Sequence, residues 1–227
     1  MRGRVEYMKY TSVFDIIGPA MIGPSSSHTA GAAKIGLMAR KIFNGQPRHI
    51  EVVFYRSFAK TYKGHGTDLA LIGGLLGYGV NSPHLVQAAE HAAKLGLNIA
   101  ITTSEEDVTH PNTVKITMAN KNHRLTVVGI SPGGGRAEII SINDFNIKIS
   151  ADNNFLIIFH FDRHGVIASA AKLLASEGIN IGYMEVARKS RGSEALMTIE
   201  TDQVIPERIT KELKKIPHVT NVVVHNK

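Results

Sequence analysis

The 227 residues contain no cysteine and no tryptophan. The first absence excludes disulfides, thiol nucleophiles and thiolate metal ligands within this chain. The second, with aromatic residues at only 6%, leaves too few flat side chains for the stacking platform of a single-strand nucleic-acid binder. No segment has the roughly 20 consecutive apolar residues of a membrane-spanning helix, so no membrane partner is expected. The opening "MRGRVEYMKY" is charged and lacks an apolar stretch, so it does not read as a signal peptide. A cytoplasmic location is the expectation. Among the 11 histidines there is no H-E-x-x-H, so no metal site is expected in this chain.

The net charge of +7 is unevenly spread: residues 1–50 carry 7 basic against 2 acidic side chains, and the remainder nearly balances. No dense Lys/Arg run accompanies the surplus. It fits attraction to small anionic substrates or to an acidic partner better than nucleic-acid binding.

Hydrophobic patterning predicts an α+β chain in two parts. The first, residues 1–150, is α/β. "HIEVVFYRSF" (His49–Phe58) reads as a strand, "TDLALIGGLLGYG" (Thr67–Gly79) as a buried helix, and "SPHLVQAAEHAAKLG" (Ser82–Gly96) as a serine-capped helix. The strand "NIAITT", a hairpin over Asn112–Ser131 and the strands "AEIISI" and "FNIKIS" follow. A polar boundary, "SADNN" (Ser150–Asn154), precedes strand, helix, strand, strand, helix, strand over residues 155–227. That βαββαβ order is ferredoxin-like.

Four stretches carry chemistry. In "GPSSSHT" (Gly23–Thr29), Ser25, Ser26, Ser27, His28 and Thr29 crowd the start of an alanine-rich helix. One serine is enough for a cap, so five polar residues point to a binding loop, with free helix N–H groups suited to a carboxylate or phosphate. Pro24 stands where a P-loop has lysine, and no G-x-S-x-G surrounds the serines. In "KGHGTD" (Lys63–Asp68), glycines leave His65 uncrowded, which suits either proton transfer near neutral pH or a plain surface turn. "HPN" (His110–Asn112) is ordinary turn chemistry by itself, and "SPGGGR" (Ser131–Arg136) is either a hairpin connection or a site of close ligand approach.

In this order the four stretches resemble the beta subunit of the iron–sulfur-dependent bacterial L-serine dehydratases. The similarity starts near Lys9, runs through "SVFDIIGPAMIGPSSSHTAGAAKIG", and extends to "YMEVARK" and "ALMTIE". Pro132 departs from the aliphatic residue more usual in the family. The resemblance implies a subunit that deaminates L-serine to pyruvate and ammonia. Its active site would be shared with an alpha subunit holding a [4Fe–4S] cluster on cysteines, which agrees with their absence here. It implies His65 as the catalytic base, and Ser25, Ser26, Ser27, His28, Thr29 and Asn112 as substrate-binding residues.

The second part resembles an ACT domain. His160, Asp162 and Asn180 match the serine-binding positions of the ACT domain of D-3-phosphoglycerate dehydrogenase, with Asp162 in place of the usual asparagine; a purely structural or dimerising ACT domain is the alternative. A homodimer through the ACT or N-terminal domain is a further expectation. The N-terminal part also resembles the allosteric substrate-binding domain of some D-3-phosphoglycerate dehydrogenases. This supports a second reading, a non-catalytic regulatory chain that binds L-serine.

Overall fold

A computed structural model describes residues 21–227; the start of the resemblance, "SVFDIIGPA", and the basic N-terminal residues lie outside them. A turn of π-helix over Ser26–Ala30 leads into α1 (Gly31–Phe43). Then come β1 (His49–Tyr55), α2 (Arg56–Thr61), α3 (Thr67–Leu75), a 3₁₀ turn (Pro83–Gln87), α4 (Ala88–Lys94) and β2 (Asn98–Ser104). Four antiparallel strands follow: β3 (Thr113–Ala119), β4 (Arg124–Gly133), β5 (Arg136–Ile142) and β6 (Phe145–Ser150). They form one six-stranded sheet in the order β2-β1-β3-β4-β5-β6, in which only β1 and β2 are parallel.

Three sequence expectations shift, the simplest being the helix expected over Thr67–Gly79, which ends at Leu75. The strand expected through Phe58 stops at Tyr55, because Arg56 takes a left-handed φ of 44° and Ser57 donates its N–H to the Pro111 carbonyl at 2.9 Å. The chain then turns into α2. The helix expected over Ser82–Gly96 starts as a 3₁₀ turn and becomes α-helical only at Ala88, with Gln87 at φ −107°, ψ 11° between the two.

The second sheet consists of β7 (Asn154–Phe161), β8 (Ile181–Arg188), β9 (Glu194–Thr201) and β10 (Val219–His225), with α5 (Val166–Ser176) and α6 (Glu207–Leu213) on one face. Its order, β10-β7-β9-β8, is the ferredoxin-like one expected from the sequence. Strand alternation splits its apolar residues between two cores. Leu156, Ile158, Met197, Ile199 and Val222 pack under α5 and α6. Phe155, Ile157, Leu196 and Val223 point the other way and join the core of the first sheet.

The join is polar as well as apolar. β6 is an edge strand, and two of its N–H groups are taken by side chains of the second sheet: Lys148 donates to Glu185 at 3.3 Å and Ser150 to Glu200 at 3.4 Å. This closes an edge that would otherwise invite strand addition. From α1, Lys34 pairs with Asp152 at 2.7 Å, and Lys41 donates to Nδ1 of His225 at 2.8 Å. Burial and the nearby Lys41 hold His225 below the ordinary histidine range, so it is the neutral ring that accepts.

α1 and α3 cross with almost no side chain between them. A Cβ on Gly74 would collide with the Ala33 carbonyl oxygen, and one on Gly36 with the Leu71 carbonyl oxygen. Backbone offers no flexible end that can move aside. Gly74→Ala is therefore expected to cost about 1–3 kcal/mol through forced separation of the helices. Thermal unfolding checks this: at about 2–4 °C per kcal/mol for a chain of this size, the midpoint should fall clearly.

Candidate active site

The serine loop and the glycine-flanked histidine sit at the N-terminal ends of the two crossing helices. Ser25, in extended conformation, caps the first turn by accepting the His28 N–H at 3.2 Å. The π-turn that follows widens the start of α1 and turns the His28 ring toward its neighbours. Nδ1 of His28 lies 3.0 Å from Ser27 Oγ and 3.3 Å from Ser25 Oγ. Nε2 lies 3.1 Å from Ser57 Oγ, on α2. Phe58 meets the ring edge-to-face at 5.3 Å between centroids, and His65 does so at 4.8 Å.

His65 is reached through a tight turn in which Gly66 takes φ 62° as the residue preceding α3, a conformation glycine adopts without strain. Thr29 Oγ1 donates to the His65 carbonyl at 3.2 Å, tying the serine loop directly to this turn. His65 Nδ1 and Thr67 Oγ1 are both buried without a hydrogen-bond partner. Unmatched buried polar atoms are uncommon, and where they sit together with a polar loop they mark a place for a ligand or water.

The other two motifs close the same site. Asn112 Nδ2 donates to the Ser131 carbonyl at 3.1 Å, and the Ser131 N–H returns to the Asn112 carbonyl at 3.0 Å. Ser131 is fully buried against Gly31, at the start of α1, where a Cβ would strike its side chain. The glycines Gly133, Gly134 and Gly135 all have positive φ and make the β4–β5 turn. Ser25, Ser27, His28, Thr29, His65 and Asn112 are thus linked through contacts that run over α2 and β4. Ser26 is half-buried in the π-turn beside them.

Ser57 and Ser131 are the residues that sequence reasoning passed over. Ser57 lay in a segment read as strand, where its hydroxyl had no evident use. A signal was present in the "SPGGGR" stretch for Ser131, whose neighbours drew the attention instead.

The charge balance at the two histidines is uneven. Burial first, and then repulsion from His65, holds His28 below the ordinary histidine range. His28 is therefore neutral at pH 7, carrying one N–H and one lone pair on its ring.

No cysteine exists to hold the cluster implied by the resemblance. Among the described residues, no three His, Asp or Glu side chains gather as metal ligands either. The chain's own residues do not fit an iron–sulfur cluster.

The three effector positions of the second sheet do not meet within one chain. Asp162 follows β7, accepts from Arg188 at 2.8 Å and from the Gly192 N–H at 3.1 Å, and is held below the usual carboxylate range by these contacts. Asn180 precedes β8 and donates to Asp202 at 2.7 Å. β9, eight residues long, runs from beside Asp162 to beside Asn180, a separation of roughly 25 Å at about 3.3 Å per residue. His160 is buried beside a cavity of about 90 Å³ shared with Phe145, Phe159 and Lys189, and its Nε2 has no partner.

The serine dehydratase beta chain family model matches residues 12–122, and the ACT domain model matches residues 155–218. A Bacillus subtilis protein named probable L-serine dehydratase, beta chain, is 50% identical over 95% of this chain and 98% of its own length. The L-serine dehydratase beta chain of Peptoniphilus asaccharolyticus is 35% identical, over 92% and 95% respectively. D-3-phosphoglycerate dehydrogenase of Methanocaldococcus jannaschii is 28% identical over 86% of this chain, which spans 37% of that enzyme.

Nitrogen-detected NMR titration of the histidine rings checks the electrostatics. His28 should titrate below the ordinary value of 6.5, and His65→Gln, by removing the repelling ring, should move its midpoint upward. The linked stability change has a fixed sign. In the window below 6.5 the unfolded chain binds a proton that the folded site resists, so stability falls as pH drops from there through the folded midpoint.

Proposed function

The chain belongs to the serine dehydratase beta chain family, and from that premise we propose that it forms part of the active site that deaminates L-serine to pyruvate and ammonia. The observation that carries the proposal is the meeting of the serine loop and His65 at the ends of α1 and α3, held by the Thr29–His65 bond of 3.2 Å and the His28–His65 ring contact of 4.8 Å. An alpha partner, as the relatives' naming of beta chains suggests, supplies the rest of the site, including a [4Fe–4S] cluster for which this chain has no ligands.

This chain's own part is to bind, to orient and to move one proton. The N–H groups of the turn that Ser25 caps, ahead of α1, favour the substrate carboxylate. The hydroxyls of Ser25, Ser26 and Ser27, with Thr29, His28 and Asn112, orient the amino acid. His65 takes the Cα proton. The electron pair left behind forms the Cα–Cβ double bond as the β-hydroxyl departs, giving aminoacrylate, which water converts to pyruvate and ammonia. Imidazole is suited to that transfer because its ordinary pKa lies near the working pH.

A second reading has its own support. The region shared with D-3-phosphoglycerate dehydrogenases occurs there in an enzyme of different name, which favours a regulatory chain that binds L-serine and carries no catalytic group. The buried, unpartnered Nε2 of His160 gives that reading a locus in the second sheet.

One anaerobic experiment separates the two: pyruvate release from L-serine with this chain alone, with the cluster-loaded alpha chain alone, and with both. Activity is expected only in the mixture. In that mixture His65→Ala should lower kcat by at least about 100-fold, the usual contribution of a positioned acid–base group, with L-serine binding retained. Full activity from the alpha chain alone, or an unchanged maximal rate with shifted serine dependence in His65→Ala, overturns the catalytic assignment in favour of the regulatory one.

A further inference from the structure

Ser57 has no place in the motifs, yet it touches the central ring of the site. A neutral imidazole has one donor and one acceptor nitrogen, and each nitrogen of His28 is in contact with hydroxyls: Ser27 and Ser25 at Nδ1, Ser57 at Nε2. Ser25 and Ser27 are also 3.4 Å apart, and Ser25 Oγ accepts the His28 backbone N–H. The proton on the ring therefore sets the direction of the whole chain of hydroxyls.

With the proton on Nδ1, Ser27 and Ser25 pass their protons outward and the loop shows the mouth an O–H donor. With the proton on Nε2, donated to Ser57, the protons of Ser25 and Ser27 run inward toward Nδ1 and their lone pairs face outward. Donors are already present there, in the N–H groups of the first turn that Ser25 caps. Acceptors outside the loop are few: Thr67 Oγ1, the amide oxygen of Asn112, and the ring of His65, which the proposed reaction needs for the Cα proton. Asp68, at the start of α3, uses Oδ1 on the Leu69 N–H within its own helix. An amino acid brings an ammonium group as well as a carboxylate, and only the second direction turns the loop's own lone pairs toward it.

We propose that Ser57 is a positioning residue that holds His28 as the Nε2–H tautomer, so that Ser25 and Ser27 present lone pairs to the substrate's ammonium group. The serine loop then reads the amino group through neutral oxygens. Ser57 is fixed for this task from behind: its backbone N–H is bound to the Pro111 carbonyl and its carbonyl accepts from Thr61 Oγ1 at 2.8 Å. This proposal rests on the reading of the site as one for L-serine.

Two measurements test it separately. In the isolated full chain, nitrogen chemical shifts of the His28 ring distinguish the tautomers without any catalysis. Wild type is expected as Nε2–H, Ser57→Ala should lose that preference, and Ser57→Thr should restore it. A wild-type Nδ1–H ring, or a tautomer unmoved in Ser57→Ala, overturns the proposal. In the complex, Ser57→Ala should raise KM for L-serine about tenfold or more, the weight of a hydrogen bond to a charged group, with a smaller change in kcat. Inhibition by glycerate, which has a hydroxyl where serine has its ammonium, should be unchanged by the substitution. Equal weakening of serine and glycerate would mean general damage to the site and overturns the role. Should the complex show no dehydratase activity, the reading of the site fails. The ring shifts on adding L-serine or glycerate to the chain alone then decide the role of Ser57: wild type answering to serine and Ser57→Ala not doing so supports it, and equal responses overturn it.

Discussion

The arrangement depends on one steric constraint, the near-contact of two helix backbones where α1 crosses α3. Gly36 and Gly74 each sit where a Cβ would strike the carbonyl of the other helix. Helices so close present their ends as a unit. The serine loop ends where α1 begins, and His65 stands two residues before α3, so the crossing alone brings Thr29 Oγ1 to 3.2 Å from the His65 carbonyl. Two loops that are 36 residues apart in the chain become one site without either being long. The short polar loop can then serve as a binding surface because its geometry is set by the packed helices behind it as well as by its own hydrogen bonds.

α1 also meets the ACT sheet, beside the contacts made by β6. Its Lys34 holds Asp152 in the connection to β7, its Lys41 holds His225 on β10, and Phe155, Ile157, Leu196 and Val223 extend the core beneath it. The connection between the two sheets is therefore no flexible tether. An event on the ACT sheet that moved β10 or the connection would act on the helix whose first turn carries the serine loop. That gives the ACT sheet a material route to the site through a rigid element. The separation of Asp162 from Asn180 by the full length of β9 adds a condition. No single ligand touches both in one chain, so a shared effector site at these positions requires a second copy of the domain.

Much of the fold was legible because its signals are local. Every strand from β2 to β10 lies in a segment whose alternation or β-branched content predicts it, and the two-part division follows from the change of pattern at Ser150–Asn154. What escaped depended on contacts distant in sequence. Arg56 ends β1 in a left-handed conformation, which no residue type at that position announces, and the bond from Ser57 to Pro111 spans two elements. The serine loop and His65 stood out by composition: five polar residues exceed the needs of a cap, and two glycines exceed those of a turn. Ser57 is a lone serine in an ordinary helix. Its significance is a distance, 3.1 Å to His28, and a distance of that kind has no local signature.

The two histidines show why a site of this kind needs two rings rather than one. At 4.8 Å between centroids, a second positive charge would meet the first across a partly buried gap, so charging one ring opposes charging the other. His28 is the one pushed toward neutrality, by burial and by His65, and both of its nitrogens are already in contact with hydroxyls. It is thereby suited to holding geometry and ill suited to taking a proton from substrate, since a charged His28 would have to give up its role as acceptor at Nδ1. His65 differs in the respect that matters. Its Nδ1 is buried without a partner, and its carbonyl rather than its ring is what the serine loop holds. The ring whose nitrogens are not engaged by the loop is the one free to change protonation state without dismantling the loop's hydrogen bonds. That asymmetry supports the proposal that His65 moves the proton and His28 orients the substrate.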